Sequence, residues 1–207
     1  MKLVFASNNA HKLSEVRAMM PAGVEVLSLH EIGFEAEIEE TGKTLEENSL
    51  IKAKTVWNWI VESRKSKVES IDGVFADDTG LEIDALNGEP GVYTARWAGS
   101  PAANRAKALR ELEGKDNRDC QFRTVITLLM NGDAPLNGGM IQVEGIVRGR
   151  IAEKEFGEGG FGYDPVFIPE GYDKTFGELP AELKNHISHR ARAIQELIRV
   201  LNDGMME

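Results

Sequence analysis

Gly73-Val74-Phe75-Ala76-Asp77-Asp78-Thr79-Gly80-Leu81-Glu82-Ile83-Asp84-Ala85 places two adjacent acids between two apolar segments. Gly73 opens an apolar run, Val74 to Ala76, that stops at two adjacent carboxylates and a Thr-Gly pair. From Leu81 the apolar residues alternate with Glu82 and Asp84, the period of a half-buried strand, and Asn87-Gly88 supplies a turn after them. The stretch therefore predicts a strand that ends in two acids, a turn, and a second strand. Fixed negative charge at the end of a sheet strand can hold a divalent cation or an attacking water. The plain alternative for Asp77 and Asp78 is a hydrophilic turn.

Towards the amino end, Leu3-Val4-Phe5 reads as a strand, Ser7-Asn8-Asn9 as a turn, and Leu13, Val16 and Met20 as one face of a helix, which makes a βα unit. A second helix begins at Thr44, which forms a capping box with Glu47. It should bury Leu45, Ala53, Val56 and Ile60, with Asn48 and Lys52 sharing another face at i, i+4. Towards the carboxyl end, Asn104 to Leu112 reads as a helix, and Phe122 to Met130 reads as a strand. The turn Asn131-Gly132-Asp133 leads from it to the strand Met140 to Ile151, as in a long hairpin. A glycine-rich loop, Gly157 to Gly162, precedes Tyr163-Asp164-Pro165 and a short strand, Val166 to Ile168. The last helix starts near Ser188, carries Ala191, Ile194, Ile198 and Leu201 at helical spacing, and stops at Gly204. A parallel βα start and a central hairpin predict an α/β protein with a mixed sheet, flanking helices and two lobes around a cleft.

Composition removes several classes of function. The 207 residues, 42% of them hydrophobic, suffice for one large core or two small lobes. A net charge of −10 without a run of Lys and Arg argues against a nucleic-acid polymer as partner. Arg64, Lys65 and Lys67, among serine and glutamate, read as a solvated loop. Met1 to Ala6 is too short an apolar run for a signal peptide, and no stretch approaches the roughly 18 apolar residues of a membrane span, so the expected location is the cytoplasm. The single cysteine, Cys120, excludes an internal disulfide and reads as a small buried hydrophobe. With His11, His30, His186 and His189 as its only histidines and no H-E-x-x-H, the chain offers little for zinc, and His30 reads as structural.

Three further constellations can carry chemistry. The Ser7-Asn8-Asn9 turn leads into a helix whose first turn holds Lys12, so free N–H groups, the positive helix end and an ammonium converge, in outline a phosphate site. No G-x-x-x-x-G-K-[ST] run is present, which excludes a standard P-loop, and an asparagine N-cap beside a surface lysine is the bland alternative. Glu40, just ahead of the second helix, can join Asp77 and Asp78 on Mg²⁺, which takes one or two carboxylates together with substrate phosphates; alone it is a solvated acid. The glycine-rich loop is either a simple turn or backbone brought close to a flat ligand stacked on Phe161 or Tyr163. Lys184, His186, His189 and Arg190 crowd the amino end of the last helix, against its dipole, a cost that a bound anion or carbonyl oxygen offsets.

Together these segments resemble the inosine triphosphate pyrophosphatase family across almost the whole length. The resemblance rests on five blocks in order. They are Ser7-Asn8-Asn9-Ala10-His11-Lys12; Glu40-Thr41-Gly42 with Glu47-Asn48; Ala76 to Leu81 continuing through Gly88, Pro90, Gly91 and Ala95-Arg96; Gly159 to Pro165; and Ile187-Ser188-His189-Arg190. The resemblance implies Mg²⁺-dependent hydrolysis of ITP, dITP and XTP between the α and β phosphates. It also implies a single two-lobed domain over residues 1–207, with the site in its cleft, and a homodimer. On matching positions it gives Ser7, Asn8, Asn9, Ala10, His11, Lys12 and Lys52 to the triphosphate, and Glu40 and Asp78 to the metal. Asp78 becomes the base and Asp77 its support, while Thr79, Phe161, Gly162, Tyr163, Asp164, Lys184, His189 and Arg190 contact the nucleotide. His11 and Asn8 stand where relatives often have glycine, and Glu62 to Asp72 looks longer than many members need. Competing readings are a phosphohydrolase for another modified nucleotide and a non-catalytic nucleotide sensor.

Overall fold

The structure, a computed structural model, describes residues 1–63, 68, 70–130 and 139–204. The basic loop of Arg64, Lys65 and Lys67 and the turn of Asn131, Gly132 and Asp133 lie outside the described residues. In chain order the elements are β1 (Lys2–Phe5), α1 (Ala10–Met19), β2 (Glu25–Leu27), α2 (Leu29–Ile32), α3 (Leu45–Ser63), β3 (Gly73–Ile83) and β4 (Pro90–Gly91). They continue with α4 (Pro101–Glu111), β5 (Asp119–Met130), β6 (Met140–Ile151), β7 (Phe167–Pro169), α5 (Ala181–Ile187) and α6 (His189–Gly204). The chain forms two compact units: Met1–Asp78, Val125–Glu144 and Ala193–Glu207 make the first, and Thr79–Thr124 and Gly145–Arg192 the second. Their divisions fall inside β3, β5, β6 and α6.

In the first unit β1 is parallel to β2 and to β3, with Leu3 opposite Gly73, Val4 opposite Val74 and Phe5 opposite Phe75. Leu3 to Phe5 and Val74 to Ala76 are apolar without interruption because both faces are covered. Leu3, Phe5 and Phe75 pack with Val16 of α1 and Ile194, Leu197 and Leu201 of α6. Val4, Ala6, Val74 and Ala76, one residue out of step, pack with Ala53 and Val56 of α3. The Phe5 and Phe75 rings stack at 5.0 Å, and burying each large apolar side chain contributes about 1.5–3 kcal/mol. Sequence reading missed β2, whose three residues show no period, and α2, although Ser28 and Glu31 form its full capping box.

In the second unit the latter part of β3 pairs antiparallel with β4, Leu81 opposite Gly91, and β6 pairs antiparallel with β7, Ile151 opposite Phe167. Its core joins Leu81, Ile83, Ala108, Leu112, Phe122, Tyr163, Phe167 and Phe176. Cys120 is buried there as expected. Helix α4 begins three residues before its predicted start, where the Ser100 hydroxyl caps the Ala103 N–H and Pro101 fits the first turn.

The predicted hairpin is present. Met130 N–H donates to Gly139 O and Ile151 N–H donates to Arg118 O, so β5 and β6 run antiparallel. The predicted break at Thr79-Gly80 is absent: β3 runs unbroken from Gly73 to Ile83, with both acids in mid-strand. Its partner β1 ends instead, at the bond from Ala6 N–H to Phe75 O. The alternation predicted to reach Ala85 stops at Ile83, and a single 3₁₀ turn, Asp84–Leu86, follows. Asn87 (φ 53°) and Gly88 (φ 86°) then make the left-handed turn.

Candidate active site

The end of β1 is what opens the acids of β3. Past Phe5 the chain leaves the sheet through Ser7, Asn8 and Asn9 into α1, whose N-cap is Asn9: its Oδ1 accepts the Lys12 N–H at 3.1 Å. Ser7 Oγ accepts the Asn9 N–H at 3.2 Å, which shapes the turn. Asn8, Asn9, Ala10 and His11 are exposed. Lys12, one turn into the helix, reaches back so that its Nζ donates to Asp77 Oδ1 at 3.0 Å, and Asp77 is 1% exposed.

Lys52 organises the second acid. It was expected on a separate face of α3, but Asn48 and Lys52 both lie on the buried stripe that runs from Leu45 to Val56. A lysine is tolerated there because its ammonium is paired: Nζ donates to Glu40 Oε1 at 3.1 Å and to Asp78 Oδ1 at 3.3 Å. Burial, the largest influence on Lys52, favours the neutral amine, yet Asp78, Asp77 and Glu40 together outweigh it and hold its pKa above the usual range. Burial dominates at Asp78 too, and raises its carboxyl pKa in spite of Lys52 and Lys12. Asp78 Oδ2 is buried and has no hydrogen-bond partner among the described residues.

The loop carrying Glu40 is tied to the first turn of α3. Thr44 Oγ1 accepts the Glu47 N–H at 3.1 Å, as a cap should, but Glu47 Oε2 accepts from Lys43 N–H at 2.6 Å rather than from the cap residue itself. Asn48 Oδ1 accepts the Gly42 N–H at 2.8 Å.

In the second unit the predicted residues form another cluster. Thr79 and Thr124 share a hydrogen bond between their hydroxyls at 2.8 Å, and Arg190 Nη2 lies 3.4 Å from Thr79 Oγ1. Arg190 is 1% exposed, with its guanidinium 5.8 Å from the centre of the Phe161 ring. His189 stacks on Phe122 with ring centres 4.5 Å apart. Lys184 donates to Asp164 Oδ2 at 2.6 Å, and the same oxygen accepts the Phe161 N–H at 2.7 Å.

Of the two aromatic residues read as stacking platforms, Phe161 stays partly exposed. Tyr163 is turned inward: its ring belongs to the core and its hydroxyl donates to Thr94 O at 2.9 Å. Asp164 is likewise buried, its carboxylate engaged by Lys184 and the loop backbone. His186 lies in the last turn of α5, a helix the sequence reading did not separate from α6, and His30 is exposed on α2.

Residues outside the predicted set also shape the clusters. Asn48, in the sequence a block residue that shares a helix face with Lys52, anchors the Glu40 loop. Arg105 of α4 donates to Gly162 O at 2.8 Å and pairs with Glu155 at 3.0 Å, so it grips the glycine-rich loop at both ends. An arginine on a partly buried helix was the available signal, although its partners lie some 50 residues away in sequence. Among the described residues no group of three or more His, Cys, Asp or Glu is arranged to hold a metal by itself. No described helix is long and apolar enough to cross a membrane.

Known proteins match the chain over nearly its full length. A dITP/XTP pyrophosphatase of Flavobacterium johnsoniae is 47% identical over 204 residues, covering 97% of this chain and 98% of its own. The Bacillus subtilis dITP/XTP pyrophosphatase is 44% identical over 204 residues, 96% of each chain. Among solved structures, the Staphylococcus aureus Ham1 protein superposes with a TM-score of 0.79 at 37% identity, covering 98% of this chain and 99% of its own. The Ham1 family model matches residues 3–200, and the chain belongs to the Ham1 family.

Proposed function

We propose that this protein is a nucleoside triphosphate pyrophosphatase that hydrolyses ITP, dITP and XTP to the monophosphate and pyrophosphate with Mg²⁺ as cofactor. The relatives named dITP/XTP pyrophosphatase support the substrate class. The observation that carries the mechanism is Asp78: a buried carboxylate with one oxygen on Lys52 and the other without a donor among the described residues.

That orphaned oxygen is also suited to a cation. A buried carboxylate oxygen without a hydrogen bond is costly unless something positive meets it. Glu40 and Asp78 already converge on one ammonium. They suit Mg²⁺, which needs only one or two protein carboxylates when substrate phosphates complete its shell. When bound, the ion would offset the charge developing on the leaving pyrophosphate.

The chain's own residues do the rest. Asp78 takes the proton of the attacking water, and the raised pKa of its carboxyl makes it a better acceptor than an ordinary aspartate. Asp77 holds Lys12 in place, and Lys12 and Lys52 present positive charge to the triphosphate. The Ser7 to His11 turn offers N–H groups at the positive end of α1. On the second unit, Phe161 offers a face to the base and Arg190 a donor for the 6-oxo group of hypoxanthine or xanthine. Adenine carries a donor at that position and would leave the protein donor unpaired, which rejects it by a large factor. We read the chain as one two-lobed domain over residues 1–207, acting in the cytoplasm as a homodimer, on the resemblance in sequence.

Product analysis with ITP, XTP, GTP, ATP and dUTP in Mg²⁺ tests this. Pyrophosphate should appear first, with ITP and XTP far ahead of ATP. Orthophosphate as the first product, or equal rates on ATP and ITP, would sink the reading.

A further inference from the structure

Asn48 lies on the buried stripe of α3, one helical turn before Lys52, and has no exposed surface. Its Oδ1 accepts the Gly42 N–H, which fixes which way the amide points, because the opposite orientation would set donor against donor. That leaves Nδ2 buried and without a hydrogen-bond partner among the described residues. An unpaired buried donor is unfavourable for folding. A residue kept at that cost is doing something with its other end.

What the other end holds is the Glu40 loop. A Cβ on Gly42 would lie 2.6 Å from Asn48 Oδ1 and 2.7 Å from Glu47 Cβ, so the bond forms only because residue 42 has no side chain. Glycine is required there by this close approach. Glu40 is two residues away, and its carboxylate meets Lys52, which extends from the next turn of the same helix. The loop is thus gripped twice by α3, through backbone by Asn48 and through side chain by Lys52.

We infer that Asn48 is a positioning residue for the reaction: through the Gly42 N–H it sets where the Glu40 carboxylate stands, and so how well that carboxylate can take a divalent cation. The inference rests on the proposed role of Glu40 in holding Mg²⁺. Side chains that orient metal ligands in this way change metal affinity or activity by about 10–100-fold when removed.

The test uses the full chain with Asn48→Ala, Gly42→Ala, both together, Asn48→Asp and, as reference, Glu40→Gln. Mn²⁺ binding followed by electron paramagnetic resonance, the Mg²⁺ concentration for half-maximal ITP hydrolysis, and hydrogen exchange at the Gly42 amide are read beside the melting temperature. Asn48→Ala and Gly42→Ala should each weaken metal binding roughly tenfold. The double variant should be no worse than Asn48→Ala, since both changes break one contact. Asn48→Asp, which keeps an acceptor for the Gly42 N–H, should restore protection of that amide and most of the metal affinity. Gly42→Ala stands alone if Asn48→Ala does not fold. If Glu40→Gln weakens metal binding while Gly42→Ala and Asn48→Ala match the wild type, or if their effects add independently, Asn48 is no positioning residue. If Glu40→Gln leaves metal binding unchanged, the metal reading falls and this inference with it.

Discussion

The charged groups of the two units are held in different ways. In the first, Lys12 and Lys52 are shared out at 3.0–3.3 Å among three carboxylates, the Glu40 side chain is 30% exposed, and one oxygen of Asp78 has no donor among the described residues. In the second, Lys184 and Asp164 are locked at 2.6 Å with both side chains 5% exposed, and Arg190 sits against Phe161 and Thr79. The first set has charge that can be re-partnered by an incoming anion and its counter-ion. In the second, the Lys184–Asp164 pair is committed to holding a surface in shape. Chemistry is therefore expected to depend on the first unit's charges and stability on the Lys184–Asp164 pair.

The sharpest attempt to break this contrast is Asp78→Asn. It should lower kcat by roughly a thousandfold, with a melting temperature close to that of the wild type, because it removes the proposed proton acceptor but not the side chain's shape. Lys184→Met should act the other way and lose about 3 kcal/mol of stability, since it strands the Asp164 carboxylate in the core. Adding Asp164→Asn should recover part of that loss in a denaturant titration. If Lys184→Met instead abolished turnover at unchanged stability, the contrast would be wrong. Lys52→Ala should cost about a hundredfold in rate, measured by steady-state ITP hydrolysis. Arg105→Ala should raise KM with little change in kcat and cost on the order of 1 kcal/mol for the lost bond to Gly162. The smallest effect is none: burial pushes the Cys120 thiol up, so a thiol reagent should leave the native protein unlabelled until it is unfolded.

The strong periodicities were legible. Strand β6 has the bounds its sequence predicts, and α6 begins beside Ser188, whose hydroxyl accepts the Ala191 N–H. What failed was local reading of residues that answer to distant partners. Thr79-Gly80 looks like a turn, but Thr79 pairs with Thr124, 45 residues on, and the strand carries through. Asn48 and Lys52 look like a face apart from the buried one until the fold brings Gly42 to the first and Glu40 and Asp78 to the second. Tyr163 looks like a platform until Thr94 claims its hydroxyl. The blocks of the candidate site were legible as residue types in order; which of them face inward was not.

One property of the glycine-rich loop reaches beyond its contacts. Gly160, at φ 72°, leaves room for the Asp164 carboxylate, which a Cβ would displace. Phe156 N–H donates to Pro165 O, Gly159 N–H donates to Gly177 O, Asp164 accepts the Phe161 N–H, and Arg105 donates to Gly162 O. With so many anchors the loop loses most of its conformational entropy when the protein folds and little when a ligand arrives. A flat group laid on Phe161 would then meet a preorganised surface, and the entropic penalty of binding in this region would be small. Calorimetry of nucleoside binding, wild type against Gly160→Ala, would show the change as a less favourable entropy rather than a lost enthalpy.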